Sequence, residues 1–204
     1  MKDARNRKVH PIRDPRQIEV LGSPARQEVL DGLQAVGPCS IAELAESLGR
    51  APDSLYYHIR KLEQVGLVVT SGTRRSGARQ ETLYDTPGRM TIDHEPSTKR
   101  ERERLMRLVS GVLRIAERDC RSALDEGRAV YRPGPSRNTW GGRVKGWLTP
   151  AERGELLGHL EAISDLIARG RRRPGASVHA VSFLFAPVAP TRRGAPRQKT
   201  REEE

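Results

Sequence analysis

Asp53, Tyr56, Tyr57, Arg60 and Lys61 crowd one short run of the sequence, and Arg74, Arg75 and Arg79 follow in a second. At about 100° per residue, Leu55, Ile59 and Leu62 gather in one sector of a helix. Asp53, Tyr56, Tyr57, Arg60 and Gln64 fall on the opposite side, with Lys61 at the edge. An arginine can take a guanine edge bidentately, and a tyrosine can donate to phosphate or pack on a thymine methyl. This face therefore suits the major groove of duplex DNA. The plainer alternative is a solvated surface, which ordinarily shows Glu, Lys and Ala in preference to two adjacent tyrosines. Asp53 counts mildly against the reading, because a carboxylate near a helix start repels phosphate. It can equally stabilise the helix dipole or accept from a cytosine amino group. His58 projects to the edge of the apolar sector and reads as a packed or turn-bridging histidine. In residues 71–79, glycines would let a hairpin tip approach a surface closely, and its arginines could enter a minor groove or grip phosphates. The alternative there is a solvated turn.

These residues need elements to hold them. From Ile18 to Val36 the apolar spacing is helical until Gly37-Pro38 stops it. Ser40 and Glu43 form a capping-box pattern for a second helix, ended by Gly49. A third helix runs from Pro52 to Val65, with Gly66 as its stop. Two strand-like runs, 67–70 and 82–84, flank the basic loop. A long charged helix is predicted over 97–124, then a linker at Pro133-Gly134-Pro135, and residues 140–148 are a strand or irregular. Thr149 and Glu152 cap another helix carrying Leu156, Leu157, Leu160, Ile163, Leu166 and Ile167. A further strand is predicted over 178–185.

The chain carries 37 Lys and Arg against 26 Asp and Glu, a formal charge of +11, which favours a polyanionic partner. Hydrophobic residues make up 35% and aromatics only 4%, so the core must be built from Leu, Val, Ile and Ala. Cys39 and Cys120 are too few for a disulfide framework and imply a reducing compartment. They read as small buried residues rather than redox sensors. No signal peptide is visible at the start, and the uncharged stretch 174–191 is interrupted by prolines and too short in its apolar part to cross a bilayer. The expected location is cytoplasmic, with no membrane partner. No Walker loop, hydrolase elbow, zinc-protease motif or dinucleotide fingerprint occurs, and no His, Cys, Asp and Glu set has ligand spacing. Neither enzyme activity, a metal nor a cofactor is expected.

The runs IAELAESLG (41–49) and SLYYHIRKLEQVGLV (54–68) resemble the winged-helix module of the bacterial ArsR-like regulators. The likeness is specific over about 45 residues and looser over 20–90. It implies a dimeric transcriptional regulator, usually a repressor, with its third helix in the major groove. The reading positions it implies are Asp53, Ser54, Tyr56, Tyr57 and Arg60. Metal-sensing members carry a Cys-x-Cys type pair or terminal ligand clusters, whereas Cys39 stands alone here.

The expected protein is mainly α with small β. A flexible basic arm (1–15) precedes a winged helix-turn-helix DNA-binding domain (16–90). A helical dimerisation or effector region with a small α/β part (97–188) follows, and then a disordered tail (189–204). The 97–124 helix is the first candidate for homodimerisation, helped by 150–169, although its wide apolar band could serve packing within the chain. Trp140, Trp147 and Phe183 either line a small-molecule effector pocket or complete a small core. The rival to a regulator reading double-stranded DNA is a winged-helix protein-interaction module without base preference. A weaker rival is an RNA-binding protein.

Overall fold

The computed structural model describes residues 9–77, 79–170 and 173–189, with Arg79 described by its backbone alone. Residues 1–8 of the expected arm and 190–204 of the expected tail lie outside the described residues.

The helical stretch expected from Ile18 to Val36 is two helices. α1 (Pro15–Leu21) is capped by Asp14, whose side chain accepts from Arg16 N, and α2 (Pro24–Val36) begins afresh at a second proline. Gly22-Ser23-Pro24 breaks the run, because proline is favoured in a first turn but cannot donate within a continuous helix. α3 (Ile41–Leu48) starts with the expected capping box. Glu43 N donates to Ser40 Oγ at 3.3 Å and Ser40 N to Glu43 Oε2 at 2.9 Å. Gly49 closes it in the left-handed region at φ 61°, where a side chain would be strained. α4 (Pro52–Glu63) follows, and its Leu55, Ile59 and Leu62 are buried.

β2 (Val69–Ser76) and β3 (Arg79–Asp85) pair antiparallel. The basic loop is thus mostly strand, with a register irregularity between Thr70 and Gly72. The base of the hairpin is pinned to the turn before α3. Cys39 N donates to Tyr84 O at 3.1 Å, and Tyr84 N to Cys39 O at 2.9 Å. A second strand pair corrects the expectation of a loose arm. β1 (Val9–Ile12) lies parallel to β4 (Arg89–Ile92), with Ile12 opposite Ile92 and buried. Burial of one apolar side chain and a ladder of backbone bonds hold these four residues despite their polar neighbours.

One buried cluster joins Ile18, Leu21, Val29, Leu30, Leu33, Leu44, Leu55, Ile59, Leu62, Leu67 and Val68. Leu108 belongs to it as well. That residue lies on α5 (Lys99–Asp125), which is capped by Thr98 and Glu101 and crosses α1 and α2. At the crossing Gly111 lies against Gln27, whose buried Nε2 donates to Leu21 O at 2.5 Å and Leu108 O at 3.1 Å. Further along, the buried Glu28 carboxylate is held between Arg118 of α5 and Arg50, just beyond α3. The long helix is therefore part of the winged helix's own core.

α6 (Pro150–Ala168) carries the third capping box, Thr149 with Glu152, and has no buried residue. Asp165 reaches back to Arg89 of β4 at 3.1 Å. Residues 140–148 are irregular, and 178–185 form no strand although Val178, Val181, Phe183 and Phe185 are exposed. The small α/β part expected there is a lone helix among the described residues. The fold is six helices with small β-sheet elements: a winged helix followed by a long helix and a small C-terminal region.

Candidate nucleic-acid interface

α4 is fixed from behind. Burying Leu55, Ile59 and Leu62 contributes roughly 1.5–3 kcal/mol each, so the opposite face is held on a rigid rod. That face carries Asp53, Tyr56, Tyr57, Arg60 and Gln64, all exposed, with the two tyrosines 54% and 59% accessible. Large aromatic rings so placed have no packing role in the single chain. Lys61 Nζ sits 5.9 Å from the centre of the Tyr57 ring, and the His58 ring meets the same tyrosine edge-on at 5.5 Å. Ser54 is exposed, but its hydroxyl donates to Ala51 O at 2.7 Å and so serves the start of the helix. Asp53 occupies the first turn, where its charge complements the helix dipole.

Burial, reinforced by Arg26 and Arg50, holds the His58 imidazole below its ordinary pKa. Its Nδ1 is buried without a partner. This is a neutral, packed histidine. Burial likewise pushes the Cys39 thiol up to about 11, with Glu43 and Asp85 adding to it. Cys39 is therefore protonated and inert at neutral pH. Cys120 is half-buried and lies 3.3 Å from the Tyr131 hydroxyl. Among the described residues no group of three or more His, Cys, Asp and Glu could hold a metal ion.

The hairpin stands beside α4, where Thr70 Oγ1 donates to Glu63 Oε1 at 3.3 Å. Its three arginines differ sharply. Arg75 is exposed and uses only Nε, donating to Gly77 O at 3.3 Å across the tip. Arg74 is committed to two carboxylates, Glu43 of α3 at 2.9 Å and Glu81 of β3 at 3.1 Å. Hydrogen bonds that it donates to these carboxylates raise its pKa further, so it is a cation whose charge is matched on the spot. Arg79 opens β3, and its side chain lies outside the described residues. Sequence spacing missed the Arg74 ties. The signal lay in Glu43, three residues after the Ser40 cap, whose carboxylate faces the hairpin as well as its own cap.

Sequence reading also passed over Arg16 and Arg26. Both line an open cleft with Glu19, Val20, Tyr57 and Lys61, where the corner between α1 and α2 meets α4. The aromatics expected in a core or effector pocket form neither within the single chain. Trp140 is 73% exposed, Trp147 90% and Phe183 40%.

A family model described as a helix-turn-helix domain matches residues 21–71, which spans α2, α3 and α4 and the first residues of β2. No curated protein matches the sequence. Among solved structures, the crystal structure of RV1404 from Mycobacterium tuberculosis is similar over 74% of this chain and 76% of that one. The identity is 18% and the TM-score 0.25, a likeness too slight to carry an argument. The helix-turn-helix match points to a DNA-binding regulatory protein rather than an enzyme. Among the described residues, no helix is long and apolar enough to cross a membrane.

Proposed function

We propose that this chain is a sequence-specific regulator of transcription that binds double-stranded DNA as a homodimer, in the manner of ArsR-like repressors. α4 lies in the major groove, where Tyr56, Tyr57 and Arg60 read base edges, with Asp53 and Ser54 at its start. Lys61, Arg75 and Arg79 meet phosphates or the minor groove. The observation that carries this reading is the outward Tyr-Tyr-Arg face on a helix locked into the core by its other side. The helix-turn-helix match over residues 21–71 supports it, and that family model is grouped with the ArsR-like families.

Exposed apolar surface supports the dimer reading. A single winged helix touches one half-site, and useful affinity comes from two copies on a symmetric operator. Met106, Leu113 and Leu124 on α5, and Leu157, Ile163, Leu166 and Ile167 on α6, are exposed apolar surface that a second copy would cover. A dimer seated on a promoter blocks access to it, which makes repression the simplest outcome.

The test is to sequence genomic DNA fragments retained by the full-length protein at physiological salt. A recurring motif is expected, and Tyr57→Ala or Arg60→Ala changes which sequence is preferred. If wild-type protein retains fragments with no common sequence, the regulator reading fails and the protein-interaction alternative replaces it.

A further inference from the structure

The cleft at the α1–α2 corner has a volume of about 320 Å³ and is lined by Arg16, Glu19, Val20, Arg26, Tyr57 and Lys61. We propose that this corner is a second backbone grip, in which Arg16, Arg26 and Lys61 hold DNA phosphates on the flank of α4 away from the hairpin. The proposal rests on α4 being the groove helix.

A helix in the major groove has a phosphate strand on either side. The hairpin takes one flank, because it joins α4 at Glu63 through Thr70. At about 100° per residue, Lys61 lies about 160° round the helix from Glu63, on the other flank. Tyr57 lies on that side as well, one turn before Lys61. The α1–α2 corner is what the fold puts there, so the two flanks are gripped by separate elements.

The side chains are set for the purpose. Arg26 donates from Nε to Val20 O, which fixes its guanidinium. Its two terminal nitrogens have no partner among the described residues. Arg16 is anchored by Asp14 at 2.7 and 2.9 Å while its side chain stays 80% exposed. Glu19 is the one carboxylate in the cleft lining, and Arg104 of α5 meets it from outside the cleft at 2.9 Å. Counting Arg16, Arg26, Lys61 and Arg104 against Asp14 and Glu19, two positive charges are left over. The cleft is open rather than enclosed. A small free anion would remain half in water there, whereas a phosphate strand passing along α4 would run through it.

The experiment measures binding of the full-length protein to a duplex recovered in the selection above and to a random duplex. Salt is varied from roughly 50 to 200 mM. Arg16→Gln with Arg26→Gln is compared with Arg16→Lys with Arg26→Lys. Removing one arginine–phosphate pair makes the salt slope shallower by about 0.9 and lowers affinity about fivefold at physiological salt. The glutamine variant removes two such pairs, so it is expected to lose about 1.8 in slope and about 25-fold in affinity, equally on both duplexes, and the lysine variant to keep most of the binding. An unchanged slope in the glutamine variant, with wild type still choosing its sequence, overturns the grip and leaves the regulator reading standing. So does a lysine variant that loses as much as the glutamine one, because the loss is then one of packing. If the variants change which sequence is preferred, the corner reads bases and the phosphate assignment is wrong. If wild type binds no duplex, both readings fall together.

Discussion

Gly111→Ala sets two physical rules against each other. In the middle of α5, alanine is a better helix former than glycine by about 1 kcal/mol. Propensity alone therefore predicts a more stable protein. The crossing with α2 predicts the reverse. A Cβ at this position would stand 2.7 Å from Gln27 Nε2 and 2.9 Å from its Oε1. Gln27 has a flexible side chain, but it is buried and its Nε2 is held by the carbonyls of Leu21 and Leu108. Its Oε1 already lacks a partner, so no spare bonding is on hand to ease a move. Displacing the amide strands a buried donor at roughly 1–3 kcal/mol, and forcing a methyl into the closed crossing adds about 1 kcal/mol or more. Against the propensity gain, the net is a loss of about 2 kcal/mol. In a Gln27→Ala background the obstruction is gone, and the same substitution gains about 1 kcal/mol from propensity and filled volume. The two substitutions are thus coupled by about 3 kcal/mol, with a change of sign. Urea unfolding of the four proteins, at one fixed protein concentration, measures the cycle. If Gly111→Ala shifts stability by the same amount in both backgrounds, the reasoning about this crossing is refuted.

Three other outcomes follow from the same interactions. Glu81→Gln releases one of the two carboxylates on Arg74, so duplex affinity is expected to rise a few-fold with a steeper salt dependence; a fall would mean that Glu81 itself supports the DNA-bound form. Replacing both Arg50 and Arg118 by alanine leaves Glu28, with a side chain 8% exposed, as an unpaired buried carboxylate. The double variant is expected to lose roughly 3–5 kcal/mol in urea unfolding, and each single variant far less, because one arginine still serves the carboxylate. A thiol reagent applied to the native protein at mildly alkaline pH is expected to label Cys120 and spare Cys39. The Cys39 thiol is buried and held protonated until about pH 11, so rapid labelling there, read by peptide mass spectrometry, contradicts that environment.

The interface was legible in the sequence where its cause was local. The period that buries Leu55, Ile59 and Leu62 also dictates that Tyr56, Tyr57 and Arg60 face out, and no tertiary knowledge is needed to see it. The capping boxes at Ser40 and Thr149 were legible for the same reason, since each joins residues three apart. What stayed hidden depends on partners distant along the chain. Arg74 reads as a free wing cation until Glu43 of α3 and Glu81 of β3 are brought to it. Arg16 and Arg26 read as ordinary charges until α1 and α2 fold against α4. The pairing of residues 9–12 with 89–92 joins two runs of four residues far apart in the chain, and each is too short for its own periodicity to announce a strand. The apolar band of α5 is wide enough for either a dimer seam or packing within the chain, and spacing alone does not divide it. The structure divides that band, with one part entering the core of the winged helix and the other left outside.

That division bears on what the C-terminal half is for. A helix shorter than about 12–15 residues is marginal alone in water, and longer ones in globular proteins owe most of their stability to packing of an apolar face. α6 has 19 residues, a proline start and a capping box, yet among the described residues nothing fully buries its leucines and isoleucines, and Leu157, Ile163, Leu166 and Ile167 are exposed. Among the described residues its one charged anchor to another element is the pair between exposed Asp165 and mostly covered Arg89, and a partly exposed pair contributes only on the order of 1 kcal/mol. The following segment sets Val178, Phe183 and Phe185 in water as well. Local capping explains why α6 begins where it does, but not why a helix with exposed leucines and isoleucines and an apolar run are kept together behind the helix-turn-helix domain. The dimer proposed above would supply that reason by covering both. α5 links the two halves directly, because the helix that presents Met106, Leu113 and Leu124 outward also clamps Glu28 behind α3. A second copy seated on that outer face, as proposed above, would therefore bear on the same helix that braces α2 and α3, against which α4 is set.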